Sequence, residues 1–268
     1  MTHIRQTGTY LDRILATTVE TIAADKLRTS AAEMAGKVRF AAAPVPMSLQ
    51  RDTLTVIAEF KRASPSKGRF DIEVSPAEVA EQYIAGGAAA ISCLTDEPFF
   101  QGSLADLREV VRTSAARVPV LRKDFVVDSY QIDQARSNGA TMILLIVACL
   151  DDAQLCEFRE HAESLNMHAL VEVHDEAEAE RAVESGASLI GINNRDLRSF
   201  HTDLAVTERI APQLPDGTTI VGESGIHSVA DAERMVAAGC HSVLVGESLI
   251  LRQDRSEAVR ELATIRRV

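Results

Sequence analysis

Eight short runs rich in β-branched and aliphatic residues recur along this chain. Most are followed by a stretch whose apolar residues fall three and four apart, and this alternation limits the fold more than any other feature. The strand-like runs are residues 54–60, 89–94, 118–122, 142–147, 168–173, 189–192, 218–221 and 242–245. Helical spacing is clearest in residues 77–85, 153–164, 176–185 and 229–238. Ser75-Pro76 reads as an N-cap followed by proline in the first helical turn, and Asp151 and Ser228 are further caps. Four helical stretches end in glycine: Gly87, Gly139, Gly186 and Gly239. A glycine there supplies the left-handed turn that sends the chain back toward the sheet. These glycines recur about every 50 residues, the period of a repeated architecture.

Continuous apolar strands joined by helices are buried on both faces, so the sheet should be parallel. Eight units in 268 residues fit a closed (βα)8 barrel, an α/β fold of typically ~250 residues. An open doubly wound sheet would be expected to carry a G-x-G-x-x-G turn, which the sequence lacks. The chain is 46% hydrophobic but only 4% aromatic, so Ala, Val, Leu and Ile must build the core. One domain is expected over residues 1–268, with a barrel at 51–268 and an N-terminal extension at 1–50. Within the extension, residues 8–34 read as one or two amphipathic helices and 41–46 as an extended linker. Whether the extension plugs a barrel end or serves as a lid over the site stays open at this level.

A net charge of −11 argues against nucleic acid or a membrane surface as partner, either of which would need a broad basic face. It leaves room for a small anion in a locally basic cleft. Cys93, Cys149, Cys156 and Cys240 form no C-x-x-C pair and read as reduced core or near-core thiols, and the seven histidines show no metal-ligand spacing, so no metal is expected. Residues 1–10 are polar and carry no secretory signal, and the longest apolar run, 142–150, is about half a membrane span. A cytoplasmic protein is expected.

In such barrels the chemistry lies at the C-terminal ends of the strands. Glu59 and Lys61, two residues apart, would both face the mouth, as acid–base groups or as a structural ion pair. Lys123 follows an apolar run. Glu172 sits inside one, where a carboxylate is costly unless paired; Lys123 facing it would satisfy both. Asn193, Arg195 and Glu223 end the sixth and seventh strands. The sequences Gly-Glu-Ser-Gly at 222–225 and Gly-Glu-Ser at 246–248 suit phosphate binding through backbone N–H groups, to which Ser64 or Lys67 could add. His174 reads as a helix-start residue, and His201, His227 and His241 as loop residues without a partner at fixed spacing.

Taken together, these motifs resemble one family. Residues 57–68 (Ile-Ala-Glu-Phe-Lys-Arg-Ala-Ser-Pro-Ser-Lys-Gly) are similar to the first-strand signature of indole-3-glycerol-phosphate synthases. The segments 121–125 (Leu-Arg-Lys-Asp-Phe), 171–174 (Val-Glu-Val-His), 190–197 (Ile-Gly-Ile-Asn-Asn-Arg-Asp-Leu), 222–225 and 245–249 (Val-Gly-Glu-Ser-Leu) follow the same family in order and spacing. The resemblance implies a tryptophan-biosynthesis lyase. Such an enzyme converts 1-(2-carboxyphenylamino)-1-deoxyribulose 5-phosphate to indole-3-glycerol phosphate, carbon dioxide and water, with no cofactor. It implies Lys123 as general acid and Glu172 as its partner in the later dehydration. Lys61, Glu59, Asn193 and Glu223 take further catalytic or orienting roles, and Asn193 and Arg195 hold the substrate carboxylate and hydroxyls. Ser64, Ser224, Gly225, Gly246 and Glu247 fall at phosphate-binding positions. Where some relatives have serine, Glu247 would serve through its backbone N–H. Phe100, Phe125 and Leu144 would line an aryl pocket. A monomer is expected, and association with other enzymes of the tryptophan pathway is compatible with the resemblance.

Phosphoribosylanthranilate isomerase and the histidine-pathway isomerases share the character of strands 7 and 8. They typically carry Asp or Cys, not Glu-x-Lys, on strand 1. A Schiff-base aldolase would want a lysine on strand 6, which here ends in Asn193. A non-catalytic phosphate-binding barrel would require the charges at the mouth to be ion pairs only.

Overall fold

Each of the eight runs forms a strand: β1 (Thr55–Phe60), β2 (Ala90–Leu94), β3 (Val120–Lys123), β4 (Met142–Ile146), β5 (His168–Val173), β6 (Leu189–Asn193), β7 (Thr219–Glu223) and β8 (Ser242–Val245). Every strand pairs in parallel with its neighbour in sequence, and β8 pairs with β1, so the sheet closes on itself. The computed structural model describes residues 7–38, 45, 47–64, 67–70 and 73–267. The expected linker at 41–46, apart from Val45, lies outside the described residues, as do Pro65 and Ser66 of the first-strand motif and residues 1–6.

Strand ends differ from the sequence expectation mainly at the carboxyl side. β3, β6 and β7 continue to Lys123, Asn193 and Glu223, one or two residues past the last apolar position. The apolar runs stopped short of these residues, yet their ladders persist: Lys123 is in register with Leu94, and Asn193 with Glu223. Pairing of the backbone carries polar side chains into the mouth, which a hydrophobicity pattern cannot register.

Helix starts follow their caps. Ser75, Asp151 and Ser228 each close a capping box, on Glu78, Gln154 and Asp231. The four helix-ending glycines have φ of 92°, 89°, 82° and 101°, the left-handed region expected of them. A small antiparallel hairpin, Ala63–Ser64 with Gly68–Arg69, follows β1 and was not anticipated.

The extension forms two helices, Tyr10–Arg28 and Ala31–Val38. The first presents Leu11 and Ile14 to the barrel mouth. Its far end is fastened to the helix Ser129–Ser137 and its cap: Lys26 pairs with Asp128 at 2.7 Å, Gln134 donates to Asp25, and Tyr130 donates to the Thr29 carbonyl. At the opposite end of the barrel, the chain before β1 is tied to its own C-terminus, Leu54 N–H to the Ile265 carbonyl and Arg267 N–H to that of Asp52. Among the described residues no helix is long and apolar enough to cross a membrane.

Candidate active site

The strands deliver their last side chains to one cavity at the carboxyl end of the barrel. Glu59 (β1), Lys123 (β3), Glu172 (β5), Asn193 (β6) and Glu223 (β7) all line it, with Lys61 just beyond β1. Three carboxylates and two ammonium groups therefore share one low-dielectric space. Lys123 Nζ lies 3.3 Å from Glu172 and 3.8 Å from Glu223, while Lys61 Nζ lies 2.9 Å from Glu59. The Glu172 and Glu223 side chains are only 2% and 1% exposed.

Burial drives the proton affinities apart. For Lys123, burial favours the neutral amine, but the charges of Glu172, Glu223 and Glu59 outweigh it and hold the ammonium well above its ordinary range. Glu172 is likewise disfavoured as an anion by burial, yet Lys123, then His174 and Asn193, keep it well below the usual carboxylate range. Glu223 goes the other way: burial and the neighbouring Glu172 charge push it far up, with Lys123 only partly compensating. Its Oε1 is buried without a hydrogen-bond partner. Two carboxyl groups beside one ammonium are thus pushed in opposite directions, the arrangement that assigns separate acid and base roles.

Two glycines make this crowding sterically feasible. A Cβ at Gly191 would collide with Glu223 Oε1, and one at Gly246 would collide with Glu59 Oε1 and lie 2.9 Å from Lys61 Nζ. Around them, hydrogen bonds fix the backbone. Tyr83 donates to the Glu59 carbonyl, and Arg62 forms a bidentate pair with Asp106 just after Lys61. After Lys123, Arg122, Asp124 and Thr95 form a buried network. Asn194 donates to the carbonyls of Glu223 and Ser224 and accepts from Thr207, holding Ser224 in a left-handed conformation with φ of 62°.

The other expected residues line the same cavity: Ser64, Arg195, Ser224, Gly225, Gly246, Glu247, Phe100, Phe125 and Leu144. Phe100 packs on Phe125 with ring centroids 6.2 Å apart; Phe99 instead meets Tyr10 edge-on, outside the cavity lining. The loops after β7 and β8 are joined by Ser248, whose hydroxyl donates to the Ile226 carbonyl. In the short helix Glu247–Ile250, the Glu247 and Ser248 amides have no partner within the helix. Glu247 is not an unaccompanied carboxylate there, because Lys67 pairs with it at 2.6 Å.

Three contributions escaped the sequence reading. Tyr10, Leu11 and Ile14 of the first helix line the cavity, so the extension lies over the site. His227 also lines it, and His241 accepts a hydrogen bond from the Ile220 N–H. His174 is not the helix cap, which is Asp175; its ring lies 3.3 Å from Glu172. The spacing Glu172-x-His174-x-x-x-Glu178 was the available signal. Cys93, Cys149, Cys156 and Cys240 are free thiols. Among the described residues no cluster of metal-ligand type forms.

Known proteins place this arrangement. The barrel resembles 3-hexulose-6-phosphate synthase (TM-score 0.61, 16% identity, covering 78% of this chain and 98% of that one). It also resembles thiamine phosphate pyrophosphorylase from Pyrococcus furiosus (TM-score 0.60, 16% identity, 80% and 96%). These are likenesses of fold alone. By sequence the chain is 47% identical over 261 residues to indole-3-glycerol phosphate synthase of Mycolicibacterium smegmatis and 46% over 259 residues to that of Mycolicibacterium gilvum. Each match covers 96% of this chain and 94% of the relative. The family model described as indole-3-glycerol phosphate synthase matches residues 11–262, from the helix over the mouth through all eight strands, and the chain belongs to that family.

Proposed function

We propose that this cavity closes the indole ring of indole-3-glycerol phosphate, with one domain spanning the chain and its helical extension roofing the barrel. The substrate, 1-(2-carboxyphenylamino)-1-deoxyribulose 5-phosphate, brings a carboxylate and a phosphate into a site that already holds several carboxylates. Lys61, Lys123 and Arg195 are the cations that face them. The phosphate sits across the mouth on the amides of Gly225, Gly246 and Glu247 with the hydroxyls of Ser64 and Ser224, and the aryl ring lies against Phe100, Phe125 and Leu144.

Ring closure puts negative charge on the ribulose carbonyl oxygen. Lys123, held as an ammonium by its carboxylate neighbours, stabilises that charge and donates the proton; a preorganised cation in a dry cavity often contributes more to catalysis than any other single effect. Loss of carbon dioxide then restores the aromatic ring. Dehydration needs a proton given to the departing hydroxyl and another removed. Lys61 donates to the hydroxyl, steadied by Glu59, and Glu172, the ionised carboxylate, accepts the other. Glu223, as a neutral carboxyl, and Asn193 orient the intermediate, and Arg195 holds its carboxylate and hydroxyls.

The observation that carries this reading is Lys123 between Glu172 and Glu223, at 3.3 and 3.8 Å. Following indole fluorescence as product forms tests it. Lys123→Met should fold and bind the substrate while turnover falls by roughly 10²-fold or more. Turnover at the level of the unaltered enzyme in that variant would remove the proposed acid.

A further inference from the structure

His174 stands on the wall between two cavities. Glu172 lines the catalytic one, His174 lines a second beneath the loop after β6, and Asn193 and Arg195 line both. The two oxygens of Glu172 are thereby divided: Oε2 faces Lys123 at 3.3 Å and Oε1 faces His174 Nε2 at 3.3 Å. The far side of the imidazole is held as well. Nδ1 lies 3.0 Å from Glu178 Oε2, and the same oxygen accepts the His174 backbone N–H at 2.9 Å. Glu178 forms no other ion pair among the described residues. A neutral imidazole carries one N–H and could serve only one of two flanking carboxylates; an imidazolium serves both.

We propose that His174 is a positioning residue that, as a permanent imidazolium braced by Glu178, keeps Glu172 ionised and turned toward the substrate. This rests on Glu172 being the base. It explains how two buried glutamates flanking one lysine come to differ: Glu172 has a second cation behind it, whereas Glu223 has only Lys123 and leaves Oε1 unpaired. Burial disfavours the charged ring, but the two carboxylates raise its titration to about 10, so it stays charged at neutral pH.

The surrounding charges do not supply a substitute. On the following helix and its cap, Asp175 and Glu178 are acidic, and Arg181 is engaged by Asp152 at 2.6 Å. Arg209 pairs with Glu176. In the loop after β6, Arg195 donates to the Phe200 carbonyl, while Arg198, His201, Asp196 and Asp203 all line the second cavity. Cys149, after β4, is a thiol that burial keeps neutral. Inside the barrel Lys123, Lys61, Glu223 and Glu59 line the same cavity as Glu172.

The test is the pH dependence of kcat. In His174→Gln the acidic limb should move up by about one pH unit or more, since an opposite charge at this distance typically lowers a carboxylate by that much. KM should stay within about twofold. Glu178→Gln should leave the limb where it is, because at acidic pH the ring is charged with or without Glu178. A limb unmoved in His174→Gln, or moved alike in both variants, overturns the proposal, the second result meaning that the ring merely props the strand. Ring-nitrogen NMR on the unaltered enzyme gives an independent reading. Both nitrogens of His174 should be protonated at pH 8, and a neutral ring there would also overturn it. Glu172→Gln separates the two levels. If that variant keeps its turnover, the assignment of the base falls; if it loses turnover while the His174→Gln limb is unmoved, only the role of His174 falls.

Discussion

The two ends of the barrel are made from the same eight strands and solve opposite problems. At the amino end the buried polar groups are neutral and matched. Thr55 donates to the carbonyls of Leu49 and His241, Ser242 donates to that of Thr55, and the Thr141 hydroxyl accepts from the Val120 N–H. At the carboxyl end Glu59, Glu172, Glu223, Lys61 and Lys123 crowd one cavity, and among the described residues Ser92 Oγ and Glu223 Oε1 have no hydrogen-bond partner. Matched neutral groups add stability; crowded, partly unmatched charges cost it and are retained for what they do to a ligand. One end holds the barrel shut and the other is poised against it.

Substitutions should separate the ends cleanly. The largest effect is expected from Glu172→Gln at the mouth: turnover should drop by ~10³-fold in the folded variant. Unchanged kinetics would dissolve the contrast. Gly191→Ala comes next. Its methyl group would push aside the Glu223 carboxylate with which it collides. Displacing a catalytic group by about 1 Å should cost ~10²-fold in kcat. At the amino end, Thr141→Val should leave kcat within about twofold yet lower stability by about 1–3 kcal/mol in urea unfolding, since the Val120 N–H loses its buried acceptor.

The least direct test is a pH dependence of stability. The ordinary histidine value is 6.5 and that of His174 in the folded chain about 10, so its contribution is complete below 6.5 and is lost as pH rises toward 10. The urea midpoint should fall across that interval, and part of the fall should be missing in His174→Gln.

Much of this could be read along the chain because the deciding interactions are local. Strand runs, capping boxes and terminal glycines depend on neighbours within four residues, and they placed the eight strands and the four clearest helices to within one or two positions. Glu172 announced itself as a carboxylate in an apolar run, which made a cationic partner necessary, and Lys123 was the available one. What stayed hidden depends on distant approach. Nothing near Glu247 in sequence points to Lys67, 180 residues away, and nothing near Tyr10 points to Phe99 or Phe200. The opposed titrations of Glu172 and Glu223 arise from which neighbours each meets inside the barrel, a three-dimensional property of side chains that look alike on paper.

The first helix is hung like a door. Its foot is bolted by ionic and hydrogen-bonded contacts to the helix Ser129–Ser137, whereas its leading edge rests on Tyr10, whose ring meets Phe99 and Phe200 edge-on at 5.9 and 5.6 Å. Each such ring contact is worth only about 0.5–1.5 kcal/mol beyond the area it covers. Opening the roof on this side would part the aromatic latch together with the buried Leu11, Ile14 and Leu15, while the ionic hinge side keeps its bonds.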